Sequence, residues 1–177
     1  MAILYILCGP SGCGKSTWRD AFIAEHSEQD IRYVSRDEIR FSMLKEGEDE
    51  DYFAHEKEVF KKFVGTLAQT LNDGFDVIAD ATHLNEFSRK KLTNALDRIG
   101  VDYEIKYVVF YTLYTECCER DATREGMAYV GPDVICGMFR SFKAPTLEED
   151  RRATEIIEVG NKKGDFSFMM NPYWKEK

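Results

Sequence analysis

Gly9-Pro10-Ser11-Gly12-Cys13-Gly14-Lys15-Ser16 completes the spacing G-x-x-x-x-G-K-[ST], and the chemistry of that spacing is phosphate binding. Glycines let the backbone wrap a phosphate, and successive N–H groups then point inward at the mouth of a helix whose dipole favours anions. Lys15 is placed to reach the β- and γ-phosphates of ATP, and Ser16 to hold Mg²⁺. Gly9, Ser11, Gly12, Cys13, Gly14 and Thr17 complete the expected cradle. The context agrees, because an apolar stretch, Ile3 to Cys8, precedes the loop and a helical pattern, Lys15 to about Glu25, follows it. A glycine-rich turn with an incidental lysine requires neither.

Nucleotide binding alone does not name a reaction. In Val34-Ser35-Arg36-Asp37-Glu38-Ile39-Arg40, Asp37 falls just past a short strand, at the edge where ligands bind in open α/β sheets. A carboxylate there can take the proton from an attacking hydroxyl. The other reading of Asp37 is the N-cap of the helix that follows. Arg40, three residues on, can bind a substrate phosphate bidentately or lie on the surface. Asp80 ends the strand Phe75–Ala79, where P-loop enzymes place a second acid near Mg²⁺. Thr82 and Asn85 suit substrate contacts and equally suit loop structure or helix capping. His83 has no spaced partner and reads as a loop residue.

Arg120 and Arg124 are four apart in a helix expected over Thr115–Glu125 and so share a face. A cation over a transferring phosphoryl group accelerates transfer by roughly 10³–10⁵. With Gly126 and Gly131 beyond them, these arginines read as part of a lid over about 115–143, with Arg120 expected among the nucleotide-binding residues. The bland reading is a solvated helix with balanced charge.

The elements that must position these groups alternate. Strands are expected at Ile3–Cys8, Ile31–Ser35, Phe75–Ala79, Ile105–Tyr111 and Ile156–Val159, with helices at His55–Leu71, Phe87–Ile99 and Pro132–Phe142 among those between. That order predicts an α/β fold: a P-loop kinase-like parallel sheet of four to five strands, helices on both faces and a helical lid. No repeat or linker divides residues 1–177, so one domain is expected.

No apolar run approaches a membrane span and no leader opens the chain. Five cysteines in no metal-ligand spacing read as reduced thiols, which points to the cytoplasm. The net charge of −8 opposes a broad footprint on nucleic acid, so any such contact must be local, at a strand end. Five of the six residues from Glu46 to Asp51 are acidic and read as a solvated loop. The tail aromatics Phe166, Phe168, Tyr173 and Trp174 read as packing on the domain.

Taken together, Lys15-Ser16-Thr17-Trp18, Arg36-Asp37-x-x-Arg40, Thr82-His83-Leu84-Asn85 and Arg124 ahead of Val130-x-Pro132-x-x-x-x-x-Met138 resemble the kinase domain of phage-type polynucleotide 5′-kinases, over most of residues 3 to 143. The resemblance implies Asp37 as general base, Arg40 on the acceptor's phosphate and Arg124 on the transferred phosphate. It implies Mg·ATP as donor and the 5′-hydroxyl of DNA or RNA ends as acceptor. The sequence departs from that family in two ways. It has no D-x-D-G-T phosphatase motif, and it reads Asp80-Ala81-Thr82 where the phage enzymes put the acid beside the threonine. The second departure is shared with the wider group of small P-loop kinases, acting on nucleotides, aminoacyl-tRNA and small metabolites. A nucleoside, nucleotide or other small-molecule kinase is therefore the alternative, and a non-catalytic ATP-dependent switch a third reading.

Overall fold

The computed structural model describes residues 1–44 and 52–160; the acidic stretch from Glu46 to Asp51 and the tail aromatics lie outside the described residues. Five strands, β1 (Ile3–Cys8), β2 (Arg32–Ser35), β3 (Val77–Asp80), β4 (Glu104–Tyr111) and β5 (Ala153–Gly160), form one sheet in the order β2-β3-β1-β4-β5. Every neighbouring pair is parallel. Strands covered on both faces read as continuous apolar runs, and Leu4, Ile6, Leu7, Val77, Ile78, Val108 and Val109 are indeed completely buried. The edge strand β5 alternates with exposed polar residues, so only its apolar centre stands out in the sequence.

Among the described residues six α-helices accompany the sheet: α1 (Lys15–Glu25), α2 (Arg36–Met43), α3 (Glu56–Asn72), α4 (Glu86–Ile99), α5 (Tyr114–Asp121) and α6 (Pro132–Ser141). In α3, Val59, Phe63, Val64, Leu67, Ala68 and Leu71 are buried at helical spacing. Asn85 caps α4 in a reciprocal box with Ser88, and Gly100 ends it in a left-handed conformation.

The helix expected over Thr115–Glu125 is shorter. It ends at Asp121, whose buried carboxylate accepts from the N–H groups of Val130 and Gly131 (2.8 Å to Gly131). That bond folds the chain back toward α6, so Arg124 stands in the turn beyond the helix and does not share a helical face with Arg120.

Several contacts fix the strand ends that carry polar residues. Ser35 pairs in register with Asp80. Gly9 N–H donates to the Thr82 carbonyl at 2.9 Å, and the Thr112 hydroxyl to the Cys13 carbonyl at 2.9 Å. Arg89, 1% exposed, grips Glu149 with two bonds of 2.8 and 2.7 Å and also donates to the carbonyls of His83 and Lys143. One buried guanidinium therefore ties the loop after β3 to the segment after α6.

Candidate active site

Gly12 and Gly14 hold φ of 77° and 99°, left-handed values that glycine adopts without steric cost. Space also selects glycine at position 12, because a Cβ there would sit 2.4 Å from the Cys117 carbonyl oxygen of α5. The loop is thus seated against α5, and α1 starts directly from it. Lys15 Nζ folds over the loop onto the carbonyls of Gly9 (3.1 Å) and Pro10 (2.7 Å). Arg120 donates to Gly12 O at 3.3 Å, and Arg124 to the Ser11 hydroxyl at 2.8 Å. Met138 of α6 brings its thioether to Ser11 N–H at 3.2 Å. Although Arg124 lies outside α5, both arginines reach the loop.

Asp80 is buried, and burial raises its carboxyl above the usual range while Lys15 and Arg19 pull the other way. Arg19, itself buried, donates to Asp80 Oδ2 at 2.7 Å and lies 4.0 Å over the Tyr33 ring. Sequence reading passed over Arg19. Its signal was present: it stands four residues after Lys15 in α1 and so rises on the same side of the helix.

At the end of β2, Ser35 caps α2 by accepting from Glu38 N–H at 3.3 Å. The cap reading of Asp37 is therefore corrected. Asp37 stands in the first helical turn with its side chain 64% exposed, pairing with Arg40 and accepting from the Tyr52 hydroxyl at 3.0 Å. Arg40 is buried, not a surface arginine, and also donates to Tyr52 Oη (2.9 Å) and Glu56 Oε2 (2.8 Å). Glu56 pairs with Arg36 through its other oxygen. Burial, reinforced by the Arg40 charge, lowers Arg36 from its ordinary value. Glu56 and Tyr52 meet α2 only through the tertiary fold, so nothing local in the sequence marks them.

These groups share one open cavity of about 650 Å³ that runs from the P-loop, with Ser16 and Thr17, to Asp37 and Arg40. Asp80, Thr82, Arg120 and Arg124 also line it. Asn85 stands outside that lining and serves as the α4 cap. Gly9 and Cys13 also stand outside that lining, and Cys13 lines a second cavity of about 850 Å³ between α1, the start of α5 and the end of β5. Thr17 and Arg120 border both cavities. One hydroxyl, Ser16, and one carboxylate, Asp80, beside a phosphate cradle form a donor set suited to Mg²⁺, which takes few protein ligands and completes its shell with phosphate oxygens and water. Among the described residues no helix is long and apolar enough to cross a membrane.

A family model described as an AAA domain matches residues 4–145. Among solved structures, a fungal RNA kinase superposes with a TM-score of 0.60 at 12% identity, covering 93% of this chain and 76% of that one. A chain of the Pnkp1/Rnl/Hen1 RNA repair complex superposes with a TM-score of 0.64 at 22% identity, over 79% of this chain and 43% of that one. A gluconokinase from Sinorhizobium meliloti gives 0.54 at 14% identity, over 89% and 82%. At such identities the likeness is one of fold. No curated protein matches.

Proposed function

The chain belongs to the AAA domain family that its residues 4–145 match, and on that premise we propose that it is an ATP-dependent polynucleotide 5′-hydroxyl kinase acting on DNA or RNA ends. The observation that carries this reading is that Asp37, an exposed carboxylate, opens onto the same cavity as the P-loop, Lys15 and Arg124. A nucleotide switch needs no carboxylate base facing its phosphates, whereas transfer to a hydroxyl does.

In this mechanism the P-loop N–H groups and Lys15 hold the β- and γ-phosphates. Arg120 and Thr17, bordering both cavities, place the rest of the nucleotide toward the second one. Ser16 and Asp80 would hold Mg²⁺, which would neutralise negative charge developing on the phosphates. Asp37 accepts the proton of the acceptor hydroxyl while that oxygen bonds to the γ-phosphorus and the bond to ADP breaks. Arg124 stabilises the charge on the transferred group. Arg40 keeps Asp37 oriented, and its buried position fixes that geometry.

A second reading, a small-molecule kinase, is favoured by one observation. Arg36 and Arg40 are already paired with Asp37 and Glu56, so the acceptor end offers little net charge to a nucleic-acid phosphate. Incubation with γ-labelled ATP, Mg²⁺ and a panel of 5′-hydroxyl DNA and RNA oligonucleotides, nucleoside 3′-monophosphates, free nucleosides and gluconate separates the two. Label on oligonucleotides is the expected result. Label confined to the small acceptors moves the enzyme to metabolism, and no label at all removes the kinase reading.

A further inference from the structure

Phosphoryl transfer leaves one feature of the cavity unused. Phe41, at the end of α2, and Tyr52 and Phe53, just before α3, gather at the same end as Asp37. Phe53 is 61% and Phe41 39% exposed, large apolar rings that open onto the cavity, as Met127 does at 42% near the other end. The rings form one cluster: Tyr52 and Phe53 meet edge to face at 4.9 Å between centroids, and Phe41 lies 6.3 Å from Tyr52. Arg40 anchors it, with its guanidinium carbon 4.5 Å from the Tyr52 centroid and 5.8 Å from that of Phe53. Since Arg40 is 5% exposed, the anchor is part of the scaffold.

Charge at this end of the cavity decides what the cluster can recognise. Its two guanidiniums, Arg36 and Arg40, are matched by the carboxylates of Asp37 and Glu56. An acceptor phosphate seated on Arg40 would have to displace Glu56 or Asp37, giving up one ion pair of a buried guanidinium to gain another. Aromatic faces carry no such conflict, because every nucleobase has a π-face and stacking needs no counter-charge. A chain of net charge −8 with exposed rings beside its reactive centre is built for stacking more than for tracking a backbone.

We propose that the Phe41–Tyr52–Phe53 cluster is the acceptor-recognition site, stacking the unpaired nucleobase of the 5′-terminal nucleotide beside Asp37. This rests on the polynucleotide reading above and narrows it to single-stranded ends. Arg40 then serves as a positioning residue for Asp37 and the rings, in place of the acceptor-phosphate contact that the family resemblance implies.

The test compares two single-stranded 5′-hydroxyl oligonucleotides, one ending in thymidine and one in an abasic tetrahydrofuran nucleotide, with wild type, Phe53→Ala and Phe53→Trp. With wild type, the abasic end should raise KM for the oligonucleotide by roughly 5- to 150-fold, with KM for ATP unchanged. Phe53→Ala should erase most of that difference and Phe53→Trp should keep it. The slope of log KM against log salt should stay below the roughly 0.7 of a single phosphate contact on a single strand. An unchanged Tm verifies that Phe53→Ala folds, as its exposure predicts. Equal KM for both ends with wild type overturns the stacking site while leaving the polynucleotide kinase intact. A slope of several phosphate contacts overturns it in favour of backbone recognition. Transfer to nucleosides or gluconate with none to either oligonucleotide refutes the polynucleotide reading and this proposal together.

Discussion

Replacing His83 by asparagine should remove a large part of the acid sensitivity of this fold. His83 is buried behind the P-loop, with Nδ1 2.9 Å from the Leu7 carbonyl oxygen; since a carbonyl only accepts, Nδ1 carries the proton. Burial is the main reason its pKa falls from 6.5 to about 4, and the nearby charges of Arg36, Arg89 and Lys15 add to it against the bond to Leu7. The unfolded chain takes up a proton below pH 6.5, while the folded one resists until about 4. Stability from the neutral ring is therefore complete above pH 6.5 and is lost as pH falls toward 4. At roughly 1.4 kcal/mol per pH unit the full loss is about 3 kcal/mol, of which about 2 kcal/mol falls between pH 7 and pH 5. The backbone at His83 has φ 37°, which asparagine tolerates better than most residues. The variant loses some stability at every pH, so the quantity of interest is the change between pH values. Denaturant unfolding at pH 7 and pH 5 should show wild type losing about 2 kcal/mol more than the variant across that interval. Equal losses in the two proteins would refute a neutral buried His83, because every other titrating group is common to both.

Three further outcomes follow from the site. Lys15→Ala should abolish phosphoryl transfer in the labelled-ATP assay; near-normal turnover would take the P-loop lysine out of the mechanism. Asp37→Asn should bind ATP as wild type does yet transfer roughly 10²–10⁴ times more slowly, and a rate within a few-fold would reduce Asp37 to a partner of Arg40. Gly12→Ala should unseat α5, since it combines a left-handed cost of about 1–2 kcal/mol with a Cβ 2.4 Å from the Cys117 carbonyl. A lowered Tm with weakened nucleotide binding is expected, and an unchanged Tm would contradict the close approach.

The buried strands were legible because parallel strands covered on both faces leave unbroken apolar runs, as in Ile3–Cys8 and the Tyr107 to Tyr111 part of β4. The edge strand β5 was legible only at Ile156–Val159, because its outer residues alternate with solvent. Ser35 as the α2 cap had a local mark as well, the Ser35-x-x-Glu38 spacing, which competed with Asp37 two residues on. The end of α5 had none: Asp121 stops the helix by bonding Val130 and Gly131, nine and ten residues later. The partners of Arg40 were hidden for the same reason, since Glu56 arrives from another helix. What periodicity and motif spacing could not supply was the pairing of charges across elements.

That pairing divides the cavity. Among the described residues, Lys15 and Arg120 make no ion pair with a carboxylate, and Arg124 has only Asp121 at 3.6 Å. All three reach the P-loop, and among the described residues Lys15 and Arg120 give the donor end positive charge that no ion pair offsets. Arg36 and Arg40, at the acceptor end, are held by Asp37 and Glu56 and contribute almost none. The same side-chain type thus serves two purposes, charge complementarity at one end and mechanical support at the other. On the proposed function this asymmetry accounts for an acidic protein acting on a polyanion. Electrostatic attraction is reserved for Mg·ATP, whereas the nucleic-acid end, meeting a near-neutral wall with exposed rings, is selected by the base it can stack beside Asp37.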